Sequence, residues 1–203
     1  EPVPRATIEE ILALASRAPS GGNLQPWRVD VVAGSALADL KERARERLVQ
    51  GLEPTEFHVY PADISDGDKH RRRACGDALY ESLGIDHADK PARWSQFLRN
   101  YDLFGAPVGL FFSLGREFDR PQWAHLGMFM QTIMLLAEER GLATCAQESW
   151  AAMHSLVAEF LALPDDRIFY AAIALGSPNR DHSVNGFRTD REPVEGFARF
   201  HGL

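Results

Sequence analysis

A chain of 203 residues, 45% hydrophobic and 25% charged, is long enough for one sizeable core and has ordinary globular usage, so a single domain over 1–203 is expected. Its formal net charge of −7 argues against nucleic acid or an anionic membrane as partner, because both need clustered positive charge. Cys75 and Cys145 lie far apart and outside any C-x-x-C spacing, which gives no disulfide framework and fits a reducing, cytoplasmic compartment.

In chain order, Ile8, Ile11, Leu12 and Ala15 recur at helical spacing, and Thr7 with Glu10 has the form of a capping box, so a helix is predicted over 7–18. Pro19 ends that pattern. Ser20, Gly21, Gly22, Asn23 and Gln25 follow, all small or hydrogen-bonding, before a partly buried strand over 27–32. Taken alone, a Ser-Gly-Gly-Asn turn is a common helix-to-strand connection. Leu37, Leu40, Ala44 and Leu48 among Lys41, Glu42, Arg43 and Glu46 predict an amphipathic helix over 35–50. Gly51, Pro54, Pro61 and Asp66-Gly67 then mark 51–67 as a loop.

Helical patterns resume over 68–83 and 91–104, and the basic run Lys69 to Arg73, flanked by Asp66, Asp68 and Asp77, reads as a solvated helix face. Val108 to Leu114 is short, apolar and aromatic-rich, as in a central strand. Pro121 opens a pattern over 123–140 that is apolar nearly all round and ends at Gly141, which predicts a helix buried in the core or in a subunit interface. Its apolar stretch, Leu126 to Ala137, is broken by Gln131 and is shorter than the roughly 20 residues of a bilayer span. A loop over 141–147, a helix over 150–163 and a second central strand over 168–175 complete the pattern. The tail from Gly176 has few apolar anchors and several Arg residues, as in tails that wrap a partner. Helices outnumber strands and the strands are widely separated, which predicts an α+β layer rather than regular βαβ winding.

Familiar catalytic motifs are absent. The sequence has no G-x-x-x-x-G-K-[ST], no G-x-G-x-x-G and no G-x-S-x-G, so neither phosphate-cradling glycines nor a serine nucleophile elbow is present. The seven histidines lack metal-ligand spacing, and Asp63, Asp66 and Asp68 lack the order of a calcium loop. His125 and His154 lie in helical patterns and read as satisfied core or interface histidines. What remains is the opening polar stretch, a second polar loop at Ala146-Gln147-Glu148-Ser149, and Arg188 and Arg191 near the tail. Such a set suits a flat, amide-rich ligand carrying a phosphate.

The run Ala18-Pro19-Ser20-Gly21-Gly22-Asn23-Leu24-Gln25-Pro26-Trp27 resembles the A-P-S-x-x-N-x-Q-P-W signature of the FMN-dependent nitroreductase family. Gly105-Ala106-Pro107 before a strand, the apolar helix ending at Gly141, the loop Thr144 to Ser149, Leu163-Pro164, Ala174 to Pro178 and Arg188 to Pro193 extend the resemblance over nearly the whole chain. It implies a mixed or antiparallel sheet wrapped by helices, in a homodimer with exchanged C-terminal tails and FMN at the subunit interface. It also implies an oxidoreductase that passes hydride from NADH or NADPH through flavin N5 to a nitroaromatic or quinone-type acceptor with ping-pong kinetics. A flavin-fragmenting or enoate-reducing relative, or a non-catalytic flavin-binding protein, are the alternatives. By the resemblance, Pro19, Ser20, Gly21 and Asn23 approach the isoalloxazine from one subunit, and Gln147, Glu148 and Ser149 lie by its reactive face from the other. Arg188 and Arg191 serve the phosphate, Asn100 the pyrimidine edge, and Gln25 and Trp27 position the loop. His58, Tyr60, Tyr80, Trp94 and Phe97 are expected either to shape the acceptor pocket or to pack in the core. Family members usually begin with an arm resembling R-x-S-x-R that holds the phosphate. Arg5 is not placed to replace it, so residues 1–203 alone are expected to bind FMN weakly.

Overall fold

Val108 to Gly115 is buried at every position, and a strand buried on both faces belongs in the middle of a sheet. In the computed structural model, which describes residues 1–202, this strand, β2 (Val108–Gly115), occupies such a place. The sheet order is β1-β2-β4-β3 with β1 (Arg28–Ala33), β3 (Ala143–Gln147) and β4 (Arg167–Gly176), and all pairs are antiparallel. The two predicted central strands are therefore β2 and β4. The predicted loop over 141–147 is a strand for most of its length: Thr-Cys-Ala-Gln offers little apolar signal, yet its backbone satisfies the open edge of β4 from Ala143 opposite Gly176 to Gln147 opposite Ala172.

Alternation along β2 and β4 divides the core in two. On one face Val108, Leu110, Phe112, Leu114, Ala171, Ile173 and Leu175 pack against α1 (Arg5–Ala15) and α5 (Arg120–Glu139). On the other, Phe111, Phe169, Ala172 and Ala174 meet α2 (Gly34–Leu48), the turn before β2, and the segment entering α6 (His154–Leu161). Each fully buried Leu, Ile or Phe contributes about 1.5 to 3 kcal/mol relative to exposure. The ladder slips between Phe112 and Ser113, where Ala171 and Phe169 take successive partners and Tyr170 is left over as a bulge. The bulge turns Tyr170 to the α5 face, beside Phe57 and Trp123 at ring-centroid distances of 5.6 and 5.3 Å.

Helix ends depart from the sequence expectation in three places. Thr7 lies inside α1 rather than at its cap: the carbonyl of extended Pro4 accepts the Thr7 and Ile8 N–H groups at 3.1 and 3.3 Å, and Glu10 pairs with Arg140 at 2.7 Å. The capping box belongs instead to α5, where Asp119 and Gln122 satisfy each other's backbone N–H groups ahead of Pro121. The pattern over 91–104 is two pieces. After α4 (Lys90–Leu98), a 3-10 turn over Arg99–Gly105 puts Leu103, Phe104 and Gly105 at φ 51, 53 and 81 before β2. Similarly, the helix expected over 150–163 opens as a 3-10 segment, Glu148–Met153, before α6.

Backbone contacts divide the chain into two compact units where the sequence marks no linker. One consists of Glu1–Val59 with Gln96–Pro178, the other of Tyr60–Ser95 with the chain from Asn179. Within the second unit, α3 (Asp66–Ser82) begins at Ser65, whose hydroxyl accepts the Asp68 N–H at 3.1 Å. The basic run lies on this helix as a solvated face: Lys69 pairs with Asp66, Arg71 with Asp68 and Glu192, Arg73 with Asp77, and Arg72 stacks on Tyr60. Two short turns, α7 (Ser183–Gly186) and α8 (Val194–Phe197), punctuate the tail, where Phe197 and Phe200 are exposed. Among the described residues no helix is long and apolar enough to cross a membrane. Both cysteines are free.

Candidate functional site

The loop between α1 and β1 is built from backbone conformations that L-residues avoid. Gly22, Asn23 and Gln25 have φ of 59, 57 and 47, in the left-handed region where Gly is free and Asn is tolerated. Such a loop needs anchors, and it has three. The Ser20 hydroxyl accepts the Gln25 N–H at 3.0 Å, closing the loop on itself. The Gly21 N–H donates to Nε2 of His125 on α5 at 3.3 Å. Trp27, 7% exposed, stacks on Phe129 of α5 with centroids 4.8 Å apart and planes 9° from parallel. Between these anchors Gly21 to Gln25 stand exposed, as does Pro19, while Ser20 is half-buried. The Ser20 hydroxyl, having accepted one bond, keeps its own O–H for a ligand.

A second cluster forms where β3 turns into the 3-10 segment. Gln147, 2% exposed, donates from Nε2 to the Asn100 carbonyl at 3.1 Å and to Asn100 Oδ1 at 2.9 Å. Trp150 Nε1 donates to the same carbonyl at 3.0 Å, and Asn100 Nδ2 donates to the Phe97 carbonyl at 2.7 Å. Asn100 is thus a brace for Gln147 and Trp150. The Tyr101 hydroxyl donates to the Ser149 carbonyl at 3.0 Å, and burial pushes its pKa up to about 12, so it stays a donor. Two atoms of this cluster, Gln147 Oε1 and Ser149 Oγ, are buried with no partner. A buried polar atom without a hydrogen bond is costly, about 1 to 3 kcal/mol, and marks a place where a bound group can complete the set.

Glu148 leads to a residue that sequence reasoning missed. Tyr170 donates its hydroxyl to Glu148 Oε1 at 2.5 Å. Burial and this carboxylate together drive the phenol well above its ordinary value of 10.0, which keeps the proton on Tyr170. The bulge that aims Tyr170 here leaves no trace in the strand pattern. Tyr101 and His125 were missed for a related reason: both sit in helical patterns where packing is the commoner role.

Of the ten residues expected at the site, Asn100, Gln147, Glu148 and Ser149 come together, and Pro19, Ser20, Gly21 and Asn23 form the separate loop held by α5. Arg188 and Arg191 are exposed in the second unit and donate from Nη1 to nearby backbone, Arg188 to the Asn185 and Phe187 carbonyls at 3.0 Å and Arg191 to those of Thr189 and Asp190 at 3.2 and 2.8 Å. A cavity of about 490 Å³ in the same unit, lined by Arg73, Tyr80 and His87 among others, includes none of the ten. Among the described residues, no hydrogen bond joins a Ser, Thr or Cys side chain to a histidine, so the geometry offers amides, hydroxyls and a half-buried carboxylate rather than an activated nucleophile.

An antiparallel sheet covered by helices on both faces, with a strained polar loop and a buried amide cluster, defines an α+β protein that presents donors and acceptors to a ligand. Comparison with known proteins identifies which one: the model of the Nitroreductase family matches residues 1–177, and the chain belongs to that family. A 4-nitrobenzoate reductase of Nocardioides sp. (strain LMS-CY) is 37% identical, over 98% of this chain and 82% of that protein. The FMN and NADPH-dependent nitroreductase NfnB of Sphigopyxis sp. strain HMH superposes with a TM-score of 0.96 at 41% identity, covering 100% of this chain and 92% of that one. The FMN-dependent nitroreductase NfnB from Mycobacterium smegmatis, solved in complex with NADPH, gives a TM-score of 0.93 at 26% identity, covering 99% and 90%.

Proposed function

We propose that this protein is an FMN-dependent oxidoreductase that uses NADH or NADPH to reduce nitroaromatic compounds. Family membership supports the reading, and the observation that carries it at residue level is the pair of unpartnered buried atoms, Gln147 Oε1 and Ser149 Oγ. The isoalloxazine edge alternates N–H and C=O groups, so an amide oxygen that needs a donor and a hydroxyl that can give or accept are the chemistry it requires. The residues present therefore fit the group.

When bound, FMN would supply the redox chemistry, hydride transfer from NADH or NADPH through N5 to a nitroaromatic or quinone-type acceptor in a ping-pong scheme. The protein binds and orients. Pro19, Ser20, Gly21 and Asn23 present the loop to the ring from one subunit, and Gln147, Glu148 and Ser149 from the other. Asn100 acts by holding Gln147 in place. Arg188 and Arg191 are the candidates for gripping the phosphate, since a guanidinium matches a phosphate bidentately. Tyr170 holds the Glu148 carboxylate still and keeps its own proton at the hydroxyl.

A homodimer with exchanged tails is part of this proposal. The outer face of α5 supports it: Ala124, Met128 and Leu135 are exposed at helical spacing, with Leu135 62% accessible, and Phe197 and Phe200 in the tail are exposed too. Titrating the protein with FMN and then adding NADPH under anaerobic conditions tests the reading. Saturable binding followed by bleaching of the flavin absorbance is expected. Binding without bleaching by either nicotinamide would leave a flavin carrier, and no binding would refute the proposal.

A further inference from the structure

We infer that His125 is a positioning residue for the Ser20–Asn23 loop, acting through a hydrogen bond that only one of its two tautomers can make. The inference rests on the reading above that this loop meets the flavin, but its geometry stands apart from that reading. Gly21 can only donate through its N–H, so His125 Nε2 must be the unprotonated nitrogen, and the ring proton resides on Nδ1. Nδ1 is buried and has no partner. The opposite tautomer would set an N–H against an N–H at Gly21 while leaving Nδ1 equally alone, so the Gly21 contact fixes the proton.

The bond is part of a two-point attachment. His125 and Phe129 lie four residues apart on α5 and so share one face of the helix, and they hold Gly21 and Trp27 at either end of the loop. Between the two points lie the three left-handed residues Gly22, Asn23 and Gln25, which would relax toward ordinary backbone if either end let go. Gly21 also packs directly against the ring: a Cβ built there would lie 3.4 Å from His125 Cε1, an ordinary van der Waals contact. Another face of α5 carries the exposed Met128 and Leu135.

Three substitutions separate the hydrogen bond from simple packing. A glutamine amide reaches the position of the histidine Nε2, whereas an asparagine amide reaches only that of Nδ1. Hydrogen exchange of the peptide spanning residues 16–27 in the flavin-free protein reads the loop directly, and fluorescence titration with FMN reads its consequence. His125→Gln should keep exchange and FMN affinity within about threefold of wild type, while His125→Asn and His125→Phe should speed exchange at least tenfold and weaken FMN binding by a similar factor. Wild-type exchange in all three variants would overturn the inference, and so would equal loosening in all three, which would make the ring a packing element only. If the wild-type protein binds no FMN, the functional reading fails while the exchange result still decides the role of His125.

Discussion

Removing the Tyr170 hydroxyl tests the site cluster at its most exposed assumption, that a β-bulge is there to aim one donor at one carboxylate. Tyr170→Phe keeps the ring and its contacts with Phe57 and Trp123, and deletes only the bond to Glu148 Oε1. Hydrogen bonds to charged acceptors contribute about 1.5 to 3 kcal/mol, and water can replace part of this because both residues are only half-buried, so about 1 to 2 kcal/mol is expected. For a domain of this size that is roughly 2 to 8 °C in Tm. Glu148→Gln weakens the same bond from the other side, so the two changes must not add: a double-mutant cycle should show coupling of at least about 0.5 kcal/mol. Thermal and urea unfolding of the flavin-free protein measure the four states. A Tm for Tyr170→Phe within about 1 °C of wild type, or energies that simply add, would refute the claim that this bond holds the site.

Asn100→Ala removes the Oδ1 that receives Gln147 and the Nδ2 that reaches Phe97 but leaves the backbone carbonyl. Two bonds at about 0.5 to 1.5 kcal/mol each predict a loss of about 1 to 3 kcal/mol in urea unfolding, with weaker FMN binding. Trp27→Ala deletes the stack on Phe129 and opens a cavity, so a loss of about 3 to 5 kcal/mol is expected, with Trp27→Phe recovering most of it by the same unfolding assay. Glu53 supplies a pH test. Burial acts against its charge, but hydrogen bonds from Ser155 and Arg47 and the nearby His154 outweigh it and hold the carboxyl below its ordinary 4.5. A depressed folded-state value stabilises fully above 4.5 and is lost as pH falls through the lowered value, so the Tm gap between wild type and Glu53→Gln should be widest near neutrality and close in strong acid. A gap independent of pH would contradict this.

The elements that carry long periodic patterns were legible in the sequence, because β2, β4, α2 and α5 each bury a face that the residue spacing betrays. β3 was not, since an edge strand of Ala-Thr-Cys-Ala-Gln is held by backbone pairing to β4 and owes little to its side chains. Nor was the start of α1. Thr7 and Glu10 have the right spacing for a capping box, but Glu10 is taken by Arg140, just past the end of α5 and 130 residues away in sequence. At the site, the polar loop and the Gln147–Ser149 segment stand out from their motifs, whereas the contacts their residues make do not. Asn100 braces Gln147 and Trp150, and the Gly21 N–H donates to His125. Tyr170 and His125 could not be found from periodicity, because a bulge and a tautomer are set by tertiary contacts.

The most direct measurement is a pair of anaerobic half-reactions on the FMN-loaded protein. NADPH or NADH should bleach the flavin, and after removal of the spent nicotinamide, a nitroaromatic should restore the oxidised spectrum with loss of the nitro absorbance. Failure of either nicotinamide to bleach bound FMN, or of any nitroaromatic to restore its colour, would contradict the account.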